Sequence, residues 1–203
     1  AGTDKLVLSG DIGVLDAAAI TGFEVLEIKG TVSNALNFNG FSSIILTSGF
    51  VHFGSSLNPS LALNLNGVNL YLSGTSSFGA ITGTAAAENV GLMGGNVVTG
   101  AIDMGAGNDR FSIDGDDQAF NPARVVNGGS GQDQFALSMN PFGGVDYVLD
   151  MANVSGFESF ANDAYVAGAT LSLTHMSGFT TITLNGAMTT TLAASNLTTA
   201  NVA

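Results

Sequence analysis

The chain has 203 residues, with 16 Asp and Glu against 4 Lys and Arg, a formal net charge of −12. It has no basic footprint for nucleic acid, is repelled by anionic membrane surfaces, and favours cations. No run of about 18 apolar residues occurs, so no membrane insertion is expected.

Only 10% of the residues are charged, where about 25% is usual. There are 28 glycines and no cysteine. The missing cysteines fit a cytosolic protein or one exported without disulfides. The opening AGTDKLVLSG has no basic stretch followed by an apolar one, so it does not read as a signal peptide.

In chain order, the first element is a glycine-aspartate turn, Gly2, Asp4 and Leu6, leading into the alternating run KLVLSG. DAAAI (16–20) is the best helix candidate, and it is short enough to be a single turn. GFEVL (22–26) and GFSSI (40–44) follow at a step of 18. From Gly30 to Ala87 there is no charged residue. This uncharged stretch reads as a face packed on neighbouring copies or coils, or as one hydrated by Thr, Ser and Asn. Within it, Leu61, Leu63 and Leu65 alternate with Ala62 and Asn64, the period of a strand. Strand patterning returns in ATLSLTHMSGF and TTITLNG, after GFESF (156–160) and around GFTTI (178–182).

The order of Asp-turn, GFE and GF occurs in both halves of the chain: Asp4, Gly22 and Gly40, then Asp133, Gly156 and Gly178. A step of roughly 18 to 24 residues suits one coil of a solenoid, in which a continuous core forms when several coils stack. The expected fold is all-β, a right-handed parallel β-solenoid over residues 1–203 with β-roll-like, calcium-binding turns. A β-sandwich with Gly-rich turns is the alternative.

The acids concentrate in the middle. Asp103, Asp109, Asp114, Asp116, Asp117, Asp133, Asp146 and Asp150 are half of the total. GGSGQDQFA (128–136) fits the pattern G-G-x-G-x-D-x-U-x, with U apolar, at every specified position. MGAGNDRFS (104–112) fits at all but the first, where Met104 stands for glycine. GTAAAENVG (83–91) is a degenerate copy with Glu88 at the acid position. Glycine opens backbone angles that turn carbonyl oxygens inward, and Ca²⁺ wants six to eight oxygens, some of them charged. One turn offers too few. An ion therefore belongs between stacked turns, with Asp109 and Asp133 one above the other and sharing it. The expected calcium-binding segment is 83–136. Its ligands are the two carboxylates and backbone oxygens of Met104, Gly105, Ala106, Gly107, Gly128, Gly129, Ser130 and Gly131. Asp4 and Glu88 fit either a ligand role or a turn cap. Asp114, with Asp116 and Asp117 in IDGDDQ, reads as a further ligand or as a solvated loop.

AIDMGAGNDRFSI, the VNGGSGQDQF that follows, and the GFE stretches resemble RTX proteins, and more closely the repeat region of Caulobacter-type bacterial S-layer proteins. The likeness is in specific motif over a short part of the chain and in style over the rest. It implies a secreted, extracellular protein at the bacterial cell surface, exported by type I secretion and folded by Ca²⁺. It further implies assembly with copies of itself into a two-dimensional lattice. A cell-surface polysaccharide would be held through other parts of a longer chain, of which this sequence reads as a fragment. The long spacers depart from the tight β-roll of secreted proteases and toxins. A repeat module of a secreted adhesin and the scaffold of a secreted hydrolase are the other readings.

No enzyme is expected. There is no G-x-S-x-G elbow, no H-E-x-x-H and no Cys. His52 and His175 read as fillers. A paired-carboxylate glycosidase stays open on sequence alone.

Overall fold

The computed structural model describes residues 2–38, 40–47, 49–55, 60–72, 77–93, 97–114, 125–138, 147–163, 170–184, 189–192 and 201–202. Among them there is strand and turn but no helix. All described strand pairs are parallel, each joining one coil to the next, as in a β-solenoid. This rules out the antiparallel β-sandwich.

One sheet stacks Lys5–Ser9, Val25–Lys29, Ser43–Thr47, Ala62–Asn66, Ile81–Thr82, Ile102–Asp103, Val126–Asn127 and Val154–Ser155. A second stacks Ile12–Asp16, Val32–Leu36, Phe50–Ser55, Asn69–Leu72, Asn89–Leu92, Arg110–Asp114, Gln134–Ser138, Ser159–Asn162, Thr181–Leu184 and Asn201–Val202. Early coils alternate between these two. Two short pairs sit at opposite crossings in the middle: Ser77–Phe78 with Val97–Val98 between the second sheet and the first, and Ala106–Gly107 with Ser130–Gly131 between the first and the second. A third sheet starts at Tyr147–Asp150, ahead of the last strand of the first sheet, Val154–Ser155. It holds Tyr147–Asp150, Thr170–Thr174 and Thr189–Leu192, and after Ser155 the described strands alternate between it and the second sheet.

Period-two patterning sets which side chains enter the core. Leu26, Ile44, Leu63, Ile81, Ile102, Val126 and Val154 form one in-register column, one per coil. Val51, Leu70, Val90, Phe111, Phe135, Phe160 and Ile182 form the facing column of the second sheet. All are buried. Phe135 is the hub of the middle coils, with ring centroids 5.3 Å from Phe111, 5.6 Å from Phe157 and 6.2 Å from Phe160. The stack is continuous from coil to coil, so each ring shields its neighbours as well as itself.

The coil step runs from 18 residues (Val25 to Ser43) to 28 (Val126 to Val154). The upper end exceeds the range expected from the repeats, and the surplus carries the first strand of the third sheet. DAAAI is a turn: Ala18 N–H donates to Asp16 Oδ1 (3.0 Å) and Ile20 N–H to the Ala17 carbonyl (3.0 Å). The aspartate side chain offers the backbone an alternative to helix.

The repeated order of Asp-turn, GFE and GF is present as one hydrogen-bond pattern. Asp4 N–H donates to Glu24 Oε2 (2.8 Å) and Asp133 N–H to Glu158 Oε2 (2.7 Å). One coil on, Ser42 Oγ and Thr180 Oγ1 donate to the carbonyls of Glu24 and Glu158 (3.0 and 3.1 Å). The first copy leads into strands of the first sheet and the second copy into strands of the second. The corner is therefore portable between faces. Its extent is longer than GFE: LDAAAITGFE (15–24) matches LDMANVSGFE (149–158). Asp150 Oδ1 accepts from Ala152 N–H as Asp16 does from Ala18. Asn37 (φ 62°) reaches back to Asp16 (2.9 Å), and His175 (φ 54°) to Asp150 (2.7 Å). His175 thus takes the place of an asparagine in a turn clasp. Its bond, with that of Ala152 N–H, holds the Asp150 carboxyl below the usual range.

Candidate metal centre

The two nonamers stack in register. Ala106 lies beside Ser130, Gly107 beside Gly131, Arg110 beside Gln134 and Phe111 beside Phe135. Asn89 pairs with Arg110 and Val90 with Phe111, which puts the degenerate copy 83–91 one coil earlier on the same corner. Matching glycines take matching backbone angles: Gly105 and Gly129 at φ 91° and 101°, Gly107 and Gly131 at 143° and 150°. These positions need glycine twice over. The angles are strained for L side chains, and a Cβ at Gly129 or Gly131 would overlap the carbonyl oxygen of Gly105 or Gly107 in the coil before. Met104, in place of the first glycine, is buried in the core.

This nesting stacks four acids, Glu88, Asp109, Asp133 and Glu158. Each accepts a hydrogen bond from the corner of the preceding coil. Gly67 N–H donates to Glu88 Oε1 (2.9 Å), Glu88 N–H to Asp109 Oδ1 (2.7 Å), Asp109 N–H to Asp133 Oδ1 (2.8 Å), and Asp133 N–H to Glu158 Oε2 (2.7 Å). Thr84 Oγ1 also donates to Glu88 Oε1 (2.8 Å). Glu88, Asp109 and Asp133 are 1%, 2% and 0% exposed. Their second oxygens, Glu88 Oε2, Asp109 Oδ2 and Asp133 Oδ2, are buried without a hydrogen-bond partner.

Such a column is costly when fully charged. Stacked strands lie about 4.8 Å apart, and two unit charges at that spacing repel by about 3 kcal/mol at an effective dielectric constant of about 20. Burial, with the charges of Glu88 and Asp133 adding to it, pushes the Asp109 carboxyl up to about 6. Burial raises Asp133 too, with the Glu158 charge adding and the bond from Asp109 N–H opposing. The column therefore calls for a cation or for protons.

The donor set fits a hard cation. It offers charged oxygens without partners beside glycine turns rich in carbonyls. Ca²⁺ bound between two turns would be held by a neighbouring pair of these carboxylates, Asp109 with Asp133 or Glu88 with Asp109, and by carbonyls of turns 104–107 and 128–131. Part of that carbonyl set is already engaged, since Ser130 N–H donates to the Gly105 carbonyl (3.0 Å) and Gln132 Nε2 to that of Gly131 (3.2 Å). Among the described residues no three His, Asp or Glu side chains converge as a metal cluster. Binding at this corner would rest on carbonyls and on one carboxylate per turn.

Asp4 lies elsewhere, before the first strand of the first sheet and paired with Glu24. The structure brings it to neither Asp109 nor Asp133. The Asp114 backbone ends the strand Arg110–Asp114 beside Ser138. Its side chain, with Asp116 and Asp117, lies outside the described residues. Glu158 was not expected in the column. The signal for it was the spacing itself, because each GFE glutamate falls one coil after an Asp-turn. His52 Nδ1 lies 3.1 Å from the Ser33 carbonyl on the outer face of the second sheet.

No protein-family model, curated protein or solved structure matches the chain.

Proposed function

We propose that the chain is a calcium-stabilised β-solenoid segment of a secreted bacterial surface-layer protein. The observation that carries this reading is the acid column: two nonamers of calcium-binding type, stacked in register, with buried carboxylate oxygens lacking partners. Ca²⁺ would neutralise the column and tie adjacent coils. Metal-coupled folding of this kind keeps a chain open where calcium is scarce and closes it after export. The role is mechanical, and self-assembly into a lattice uses the uncharged outer faces of the early coils. The −12 net charge supports the reading, since such a chain needs bound cations to pack against copies of itself.

Negative-stain electron microscopy of chelator-treated protein, before and after millimolar Ca²⁺, tests it. Ordered sheets with calcium alone are expected. Dispersed, folded particles in both conditions would overturn the lattice role and favour a repeat module of a secreted adhesin.

A further inference from the structure

The outer face of the second sheet carries a concave patch of about 690 Å³, lined by Phe50, His52, Asn69, Tyr71, Asn89 and Met93. It uses none of the column acids, although Asn89 follows Glu88 in the chain. We infer that this cleft binds neutral sugars.

Register builds the cleft. Phe50, Asn69 and Asn89 form one outward row across three coils, and His52, Tyr71 and Gly91 form the next. Three stacked strands span about 10 Å, room for two sugar rings. Phe50 is 38% exposed, and its ring centroid lies 5.3 Å from that of Tyr71 with the planes 34° apart. The two rings make a shallow apolar bed. Gly91 shapes its floor: a Cβ there would come within 2.8 Å of Tyr71 Cδ1, so the missing side chain lets the tyrosine lie down on the sheet.

Polar groups are few and placed among the rings. Asn89 Nδ2 donates to the Tyr71 hydroxyl (3.2 Å), which leaves that hydroxyl its own proton to donate. Asn89 Oδ1 is buried and has no hydrogen-bond partner. Asn69 adds an exposed amide. Aromatic faces with planar amides match a pyranose, whose C–H face stacks on a ring while neighbouring hydroxyls pair with an amide.

Charge narrows the class. Among the described residues, no Asp, Glu, Lys or Arg lines the cleft. Arg110, next along the row from Asn89, is taken up by Gln134 and by Asp163 (3.2 Å). Nothing there would hold an anionic sugar against a net charge of −12.

The test uses the whole chain in calcium buffer. The probes are homotrimers of glucose, galactose, mannose and N-acetylglucosamine, with trigalacturonate as the anionic comparison. Tyrosine-ring NMR shifts and saturation transfer are read out. At least one neutral trimer should bind below about 10 mM, with shifts at Tyr71. Tyr71→Ala and Asn89→Ala should each weaken it about tenfold or more, Tyr71→Phe less, and Val148→Ala on the third sheet not at all. Three results would overturn the inference: no neutral trimer binds, trigalacturonate binds as well as any neutral one, or a Tyr71→Ala variant that melts like wild type keeps full affinity. Self-association that Tyr71→Ala abolishes, with no sugar bound, would instead make the cleft a contact between copies and also overturn it.

Discussion

Gly131→Ala is expected to destabilise the middle coils by about 3 kcal/mol or more, measured by urea unfolding in calcium buffer. Gly131 sits at φ 150°, an angle that L side chains rarely adopt, and a methyl group there would overlap the Gly107 carbonyl oxygen. Both partners are backbone, so no rotamer change relieves the contact. Two comparisons separate angle from space. Gly22 has φ 84° with open room around it, and Gly22→Ala should cost about 1–2 kcal/mol, the strain alone. Gly13 has neither constraint, and Gly13→Ala should be close to neutral. If all three variants unfold alike, the tight nesting of the turns is wrong.

Asp133→Asn is expected to act in opposite directions with and without metal. In chelator at neutral pH it should stabilise the protein by about 1–3 kcal/mol. The amide oxygen can keep the bond from Asp109 N–H, while the buried charge and its repulsion with Glu158 disappear. In calcium the same change removes a charged ligand, so the calcium-induced rise in melting temperature should shrink. The sign with pH follows from the raised carboxyls. Asp109 titrates near 6 in the folded chain and near 3.8 when unfolded. The folded state therefore holds a proton that the unfolded state releases. In the metal-free wild type this contribution is fully present below the unfolded value and is lost as pH rises through about 6. Asp133→Asn should flatten this profile, since it relieves Asp109 of a neighbouring charge. Equal destabilisation of the variant in chelator and in calcium would mean that the column carries no charge to relieve.

Much of this was legible in the residues themselves. LALNLNG states its own burial: Leu61, Leu63 and Leu65 point in, and Asn64 is half-buried on the other side. The nonamers dictate their glycine angles, and a shared pattern at similar spacing is enough to stack Asp109 under Asp133. Glu88 was readable from GTAAAENVG, although three alanines replace the usual turn residues.

What escaped reading depends on coil length, which varies with local insertions and leaves no periodic mark. The third sheet enters within the longest coil step, Val126 to Val154. The same GFE corner leads into one sheet early in the chain and another late, because its hydrogen bonds are satisfied by the next coil, whichever face that coil presents. Asn37 and His175 hold the same left-handed position, yet nothing in one-dimensional spacing equates an asparagine with a histidine. The cleft is hidden for a similar reason: Phe50, Tyr71 and Asn89 are neighbours only through register.

The most direct test of the central claim is a pair of thermal melts of the wild-type chain at pH 7.5, one in chelator and one in millimolar Ca²⁺. Calcium at about 100 times its dissociation constant adds about 2.7 kcal/mol per ion, which for a chain of this size is a rise of about 5–10 °C. The acid column predicts at least that rise, with Mg²⁺ giving much less because it resists irregular carbonyl-rich shells. Identical melting temperatures in chelator and calcium would contradict the account and leave the column held by protons and backbone N–H groups alone.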